Sequence, residues 1–175
     1  MLKAYETYKK FIVIMNKVID VVTIALMLGM VGVVSYQVFM RQFFASPPIW
    51  GEEISVTLLV WFVFLGIVLG LEEGLHIGIA MFVSKFPKKV VYGVEIFVNL
   101  LILLLAILFV YYGTVFASNM IRFGTALPAT GMPAYIHYIV VPITGVLMGV
   151  VILGKIAGQL IKQENKQEKE EESHD

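Results

Sequence analysis

The sequence predicts an all-α integral membrane protein with four transmembrane helices, both termini cytoplasmic, and an amphipathic interfacial helix at the N-terminus. Three observations predict it. With 59% hydrophobic and 15% charged residues, the 175-residue chain is too apolar for a soluble domain with a wettable surface. It contains four uncharged stretches, Val21 to Met40, Ile54 to Leu71, Ile96 to Ile121 and Phe123 to Gly154. About 18 or more such residues cross the roughly 30 Å hydrocarbon core as a helix, whereas barrel strands are about 9 to 11 residues long and alternate in polarity. Finally, the cations are distributed unevenly among the segments that flank the spans.

The elements follow in order. Residues 2 to 19 carry Leu2, Tyr5, Tyr8, Phe11, Ile12, Met15, Val18 and Ile19 at helical spacing, with Lys3, Glu6, Lys9, Lys10, Asn16 and Lys17 elsewhere on the wheel. That pattern predicts an interfacial helix with its basic face on the anionic leaflet. A frayed arm is the alternative. The first span, about 20–41, is longer than the apolar core of a signal peptide, and no Ala-x-Ala-like cleavage site follows it, so it is expected to stay in the mature protein. The second, about 53–72, is bracketed by Arg41 and Trp50-Gly51-Glu52-Glu53 on one side and Glu72-Glu73-Gly74-Leu75-His76-Ile77 on the other. The third is expected at about 90–120. The fourth is placed at about 133–156, starting near Pro133 within a proline-containing run. Residues 1–162 thus form one membrane domain, and 163–175 form a charged tail, disordered or weakly helical.

Orientation is set by Lys and Arg near the spans. Lys3, Lys9, Lys10 and Lys17, then Lys85, Lys88 and Lys89, then Lys155, Lys162, Lys166 and Lys169 fall in the two terminal segments and the middle loop. The two other loops hold only Arg41 and Arg122. Both termini are therefore predicted inside, which requires an even number of spans. Trp50, Lys85, Lys88 and Lys89 are expected to act as interfacial anchors.

Catalysis finds little support. The chain has no cysteine, which excludes disulfides and thiolate sites. Its three histidines, His76, His137 and His174, fall on opposite sides of the predicted bilayer, too far apart to share a metal or haem. No metalloprotease helix, nucleophile elbow or phosphate-binding glycine loop occurs. No catalytic, substrate-binding or metal site and no cofactor is expected in this chain, and no nucleic-acid partner.

What the spans do carry concerns packing. Gly66, Gly70 and Gly74 recur every fourth residue, as do Gly145 and Gly149, and small-xxx-small stripes let membrane helices approach closely. Trp61 lies mid-span, about 140° around the helix from Gly66, although Trp favours the interface. It faces either a packing partner or lipid. Glu95 and Asn99 share a face about 9 Å or more along the third helix from Lys89, and are read as a polar contact to a neighbouring helix or subunit, with an ion site as the alternative. Trp61, Gly66, Gly70, Glu95 and Asn99 are thus candidates for an interface with another membrane subunit. Arg41, Glu52 and Glu53 complement helix dipoles, and the same three charges can form a docking patch for an external protein.

In order and spacing, Arg41, Trp50-x-Glu52-Glu53, Trp61, Phe64-Leu65-Gly66, Gly74-x-His76-Ile77, Pro87, Leu127-Pro128, Tyr135 and Pro142-Ile143-x-Gly145 resemble the small, DctQ-like permease subunit of tripartite ATP-independent periplasmic (TRAP) transporters. The resemblance covers roughly residues 18 to 160 and departs at Ala80, where many members carry an acid. It implies a multi-pass protein of the bacterial inner membrane, paired with a large membrane subunit and a periplasmic substrate-binding protein. It further implies sodium-coupled import of an organic acid, such as sialic acid or a C4-dicarboxylate, with the sodium sites and the elevator motion in the large subunit and a scaffold role for the small one. On that basis Arg41, Glu52 and Glu53 are expected near the binding-protein docking surface. The alternative is a self-sufficient four-helix proton-coupled carrier acting as a homodimer, for which Glu95 is the sole candidate acid. A membrane electron carrier is disfavoured by the separated histidines.

Overall fold

A computed structural model describes residues 2–73 and 88–172. They form five helices, α1 (Leu2–Phe44), α2 (Trp50–Glu73), α3 (Lys88–Arg122), the single turn α4 (Tyr135–Tyr138) and α5 (Val140–Glu172). There is no strand among them, only one isolated bridge pair between Ala126 and Pro133. Four segments are long and apolar enough to cross a bilayer, Lys10–Phe44, Trp50–Leu71, Gly93–Arg122 and Tyr135–Ile156.

Helix α1 runs unbroken from the amphipathic stretch into the first span, so the two are one rod. Ile12, Asn16, Ile19 and Thr23 recur at helical spacing and are all buried, which explains the continuity. This face packs against the bundle in the same cluster as Leu65, Val68 and Leu71 of α2 and Met148 and Val151 of α5. The helix ends at Ala45, whose φ of 52° places a side chain in the left-handed region that glycine usually occupies after a helix. At the far end of the chain α5 continues as helix through Glu172. The tail from Gln163 onward is rich in Glu, Gln and Lys, all good helix formers, and it prolongs a helix already nucleated in the span.

The spans are arranged as a row. Helix α1 packs on α2, α2 on α5, and α5 on α3; α1 also touches α5 where Tyr8 meets Val150, whereas α1 and α3 share no backbone approach among the described residues. The tightest seam is between α3 and α5. A Cβ on Gly145 would lie 2.8 Å from the Ala106 carbonyl oxygen and 2.9 Å from the Phe109 Cβ, and one on Gly113 would lie 2.7 Å from the Pro142 ring. Glycine is needed there because the two backbones touch.

Pro142 also explains why the fourth span starts with a separate turn. It has no N–H for the Tyr138 carbonyl, and its ring crowds that residue, so the ladder breaks at Ile139 and resumes with a long 3.4 Å bond from Ile143 to Ile139. At the opposite end of the bundle the Lys155 ammonium donates to the Leu71 carbonyl near the C-terminus of α2. The Tyr8 hydroxyl donates to the Val150 carbonyl there as well. Lys155 satisfies a carbonyl in the last turn of α2, where the helix itself supplies no donor, and Tyr8 adds a second donor to a carbonyl in the interior of α5.

Candidate functional site

At the end of the bundle holding the α1–α2 and α3–α4 connections, three side chains of α2 form a ladder. Glu53, Thr57 and Trp61 fall at i, i+4 and i+8, so they stack on one face of the helix. Each bonds the segment that leads from α3 into α5. The Glu53 carboxylate accepts hydrogen bonds from the Ala129 N–H (2.7 Å), the Thr130 N–H (2.8 Å) and the Thr130 hydroxyl (2.7 Å). One turn on, the Thr57 hydroxyl donates to its own helix at Glu53 O (2.8 Å) and lies 2.9 Å from His137 Nδ1. The Trp61 indole N–H donates to the Ile136 carbonyl at 3.0 Å.

The segment so held is a compact loop with its own geometry. Helix α3 closes in a glycine cap: Gly124 has φ 60°, its N–H meets Ile121 O, and the Thr125 N–H reaches back to Met120 O. The chain then doubles back through Leu127 N–H to Met132 O (2.8 Å) and Ala134 N–H to Thr125 O (2.9 Å), turning at Gly131 with φ 68°. At the tip, the successive N–H groups of Ala129 and Thr130 converge on one carboxylate. Consecutive amides aimed at a point make a concave anion-binding nest, and here the anion is supplied by the same chain.

Against this loop lies an open cavity of about 490 Å³ lined by Ile49, Glu52, Glu53, Val56, Leu127, Pro128, Ala129 and His137. Apart from the two acids and the histidine its walls are apolar. Glu52 is exposed, whereas Glu53 is half-buried beneath the loop. The neighbouring α1–α2 connection is pinned by Gln37, whose amide donates to the Ser55 hydroxyl at 2.8 Å while Ser55 donates to Gly51 O at 2.8 Å. Trp50 stacks on Tyr36 with ring centroids 6.0 Å apart.

The residues singled out from sequence do not form a single surface. Arg41, Glu52 and Glu53 lie at the same end, but among the described residues Arg41 forms no ion pair with either acid, and Glu53 bonds the loop instead. Trp61 is half-buried and bonded within the chain, and it packs on the core cluster. A Cβ on Gly66 or Gly149 would meet nothing within 4 Å, whereas Gly145 lies in the α3–α5 seam. Gly70 is half-buried on α2. Asn99 is buried and Glu95 half-buried on α3, which α5 separates from α2. Gly74, His76, Ala80, Lys85 and Pro87 lie outside the described residues, as do the side chains of Lys88 and Lys89.

Sequence reasoning missed Thr57, His137 and Thr130 as partners, and Gly113 as the second half of the α3–α5 contact. The i+4 spacing of Glu53, Thr57 and Trp61 was the available signal for the ladder. No group of three or more His, Cys, Asp or Glu that could hold a metal occurs among the described residues.

The arrangement therefore consists of a braced rim on an apolar row of helices. A comparison with curated proteins finds no match. The family model for tripartite ATP-independent periplasmic transporters, DctQ component, matches residues 30–162, which takes in the whole of the ladder, the loop, the second to fourth spanning segments and the part of α1 from residue 30 onward. Four spans, that loop and that match together identify the chain as a multi-pass membrane protein belonging to the DctQ component family of tripartite ATP-independent periplasmic transporters.

Proposed function

We propose that this chain is the scaffold subunit of a sodium-coupled, binding-protein-dependent importer of organic acids, with both termini in the cytoplasm of the bacterial inner membrane. The family supplies the coarse statement, a small subunit of a TRAP transporter and a transporter component in place of an enzyme. The row of helices supports the finer one. In a row, α1 and α3 keep most of their circumference exposed, including Ile14, Leu28, Leu101 and Leu104, so the chain offers wide apolar flanks on which a larger membrane subunit can be built. A carrier acting alone needs a polar path between helices that enclose it. Among the described residues the row encloses none.

Sodium and substrate sites are assigned to the large subunit, and the cavity rim of this chain to the docking of the periplasmic binding protein. Glu52 presents the charge, Glu53 holds the loop that forms the wall, and Arg41 lies on the same side. Reconstitution tests the reading. The purified chain alone in liposomes is expected to move neither sialic acid nor a C4-dicarboxylate nor protons, under any ion gradient. Uptake of one such carboxylate is expected when the large subunit and the binding protein are added with an inward sodium gradient. Transport by the isolated chain would favour the homodimeric carrier and overturn the scaffold.

A further inference from the structure

Two tyrosines lie where the bilayer offers them nothing. Tyr111 and Tyr112 are 63% and 64% exposed on α3, within the spanning segment Gly93–Arg122. They stand 10 and 11 residues before Arg122, about 15 to 17 Å along the axis and so about half the thickness of the hydrocarbon core. Long side chains on a helix lean toward its N-terminus, and here that direction leads away from the nearer interface, toward the bilayer centre. The hydroxyls therefore do not reach outward to headgroups as an interfacial tyrosine does. The two rings pack edge to face at 5.2 Å, and neither hydroxyl has a hydrogen-bond partner among the described residues.

Lipid tails carry no acceptor, and leaving a hydroxyl unpaired in hydrocarbon is costly. Tyr8, by contrast, donates its hydroxyl to the Val150 carbonyl. Tyr111 instead sits on a continuous exposed stripe with Leu104, Leu108 and Val115, at the i, i+4, i+7 and i+11 spacing that one facing helix covers, and Tyr112 flanks that stripe at i+8. From this we infer that the Tyr111–Tyr112 stripe of α3 is the face that meets the large membrane subunit, through a spanning helix that offers oxygen acceptors at mid-bilayer depth, either side-chain oxygens or carbonyls freed by a helix break. The inference rests on the proposed function for the existence of the partner. It assigns which edge of the row the partner covers, namely the α3 edge, the one opposite α1.

The test uses the two-subunit complex in proteoliposomes. A photocrosslinking amino acid at Leu108, which leaves both tyrosines in place, is expected to give an adduct with the large subunit, while the same label at Leu28 on α1 is expected to give none. The double variant Tyr111→Phe, Tyr112→Phe keeps the rings and removes the hydroxyls. It is expected to weaken subunit association, read by energy transfer between labelled subunits on dilution with lipid, by roughly fivefold to tenfold, the size two interhelical hydrogen bonds carry. Adducts from position 108 with lipid only or with a second copy of this chain would overturn the inference, as would wild-type association in the double variant. If the unmodified chain and the large subunit do not associate at all, it is the proposed function that falls.

Discussion

Glu52 and Glu53 are adjacent, chemically alike and in the first turn of the same helix, yet the fold gives them different work. Glu53 faces the loop and accepts three hydrogen bonds, two from consecutive backbone amides. Glu52 is exposed at the cavity mouth. Replacing Glu53 by Gln keeps the shape but removes the charge and turns an amide N–H₂ toward amide donors. At least one of the three hydrogen bonds is lost, because only one of the two carboxylate oxygens is kept as an acceptor, and those that remain lose their charge assistance. Hydrogen exchange at Ala129 and Thr130 measures it: protection of both amides should fall by at least tenfold while that of the α3–α5 seam stays unchanged. Glu52→Lys is expected to leave this protection intact and to lower binding-protein-dependent uptake several-fold, with the loss shrinking as salt rises, as it does for an exposed charge contact. Equal effects of the two substitutions on exchange would contradict the division of labour. Sequence placed both acids at the helix start and at the rim correctly. It could not separate them, because a 100° step around a helix decides which one meets a loop 76 residues away, and that loop's path depends on glycine turns at 124 and 131.

At the scale of elements, the apolar spans were the most legible part of the chain because a bilayer turns length and absence of charge into structure directly. The predicted spans differ from the observed ones mainly at α1, where the amphipathic stretch and the span fuse into one helix, and at the fourth span, where Pro142 splits off α4. Glycine stripes were less legible. Gly66 and Gly145 each belong to a spacing of four, yet only Gly145 touches another backbone. The two sites therefore make a matched comparison. Gly145→Ala drives a methyl group into the Ala106 carbonyl and should destabilise the chain by about 1–3 kcal/mol, the range for overpacking a tight core. Gly66→Ala, facing open space, should be neutral or slightly stabilising in the isolated subunit. Unfolding in mixed micelles, followed by tryptophan fluorescence, measures both. A Gly66→Ala change that is harmless alone yet lowers co-purification with the large subunit would place α2 at that interface too.

For the whole molecule, the row order carries the most information, and it was not readable from sequence at all. Hydropathy reports that a helix is in the membrane but is blind to its neighbours, because lipid and protein are equally apolar. What sets the order is detail: a glycine pair and a proline joining α3 to α5, Gln37 and Ser55 at the α1–α2 crossing, and Lys155 reaching from α5 to α2. The row also divides the chain into two antiparallel pairs of sequence neighbours, α1 with α2 and α3 with α5, which meet chiefly along a line between α2 and α5, with a further contact where Tyr8 of α1 reaches Val150 of α5. Each pair can enter the bilayer as a helical hairpin before it needs the other, so assembly reduces to zipping two preformed leaves along that line. Cutting the gene into fragments 1–80 and 81–175 and expressing both together should then yield a complex that co-purifies, whereas a cut that parts α3 from α5 should not.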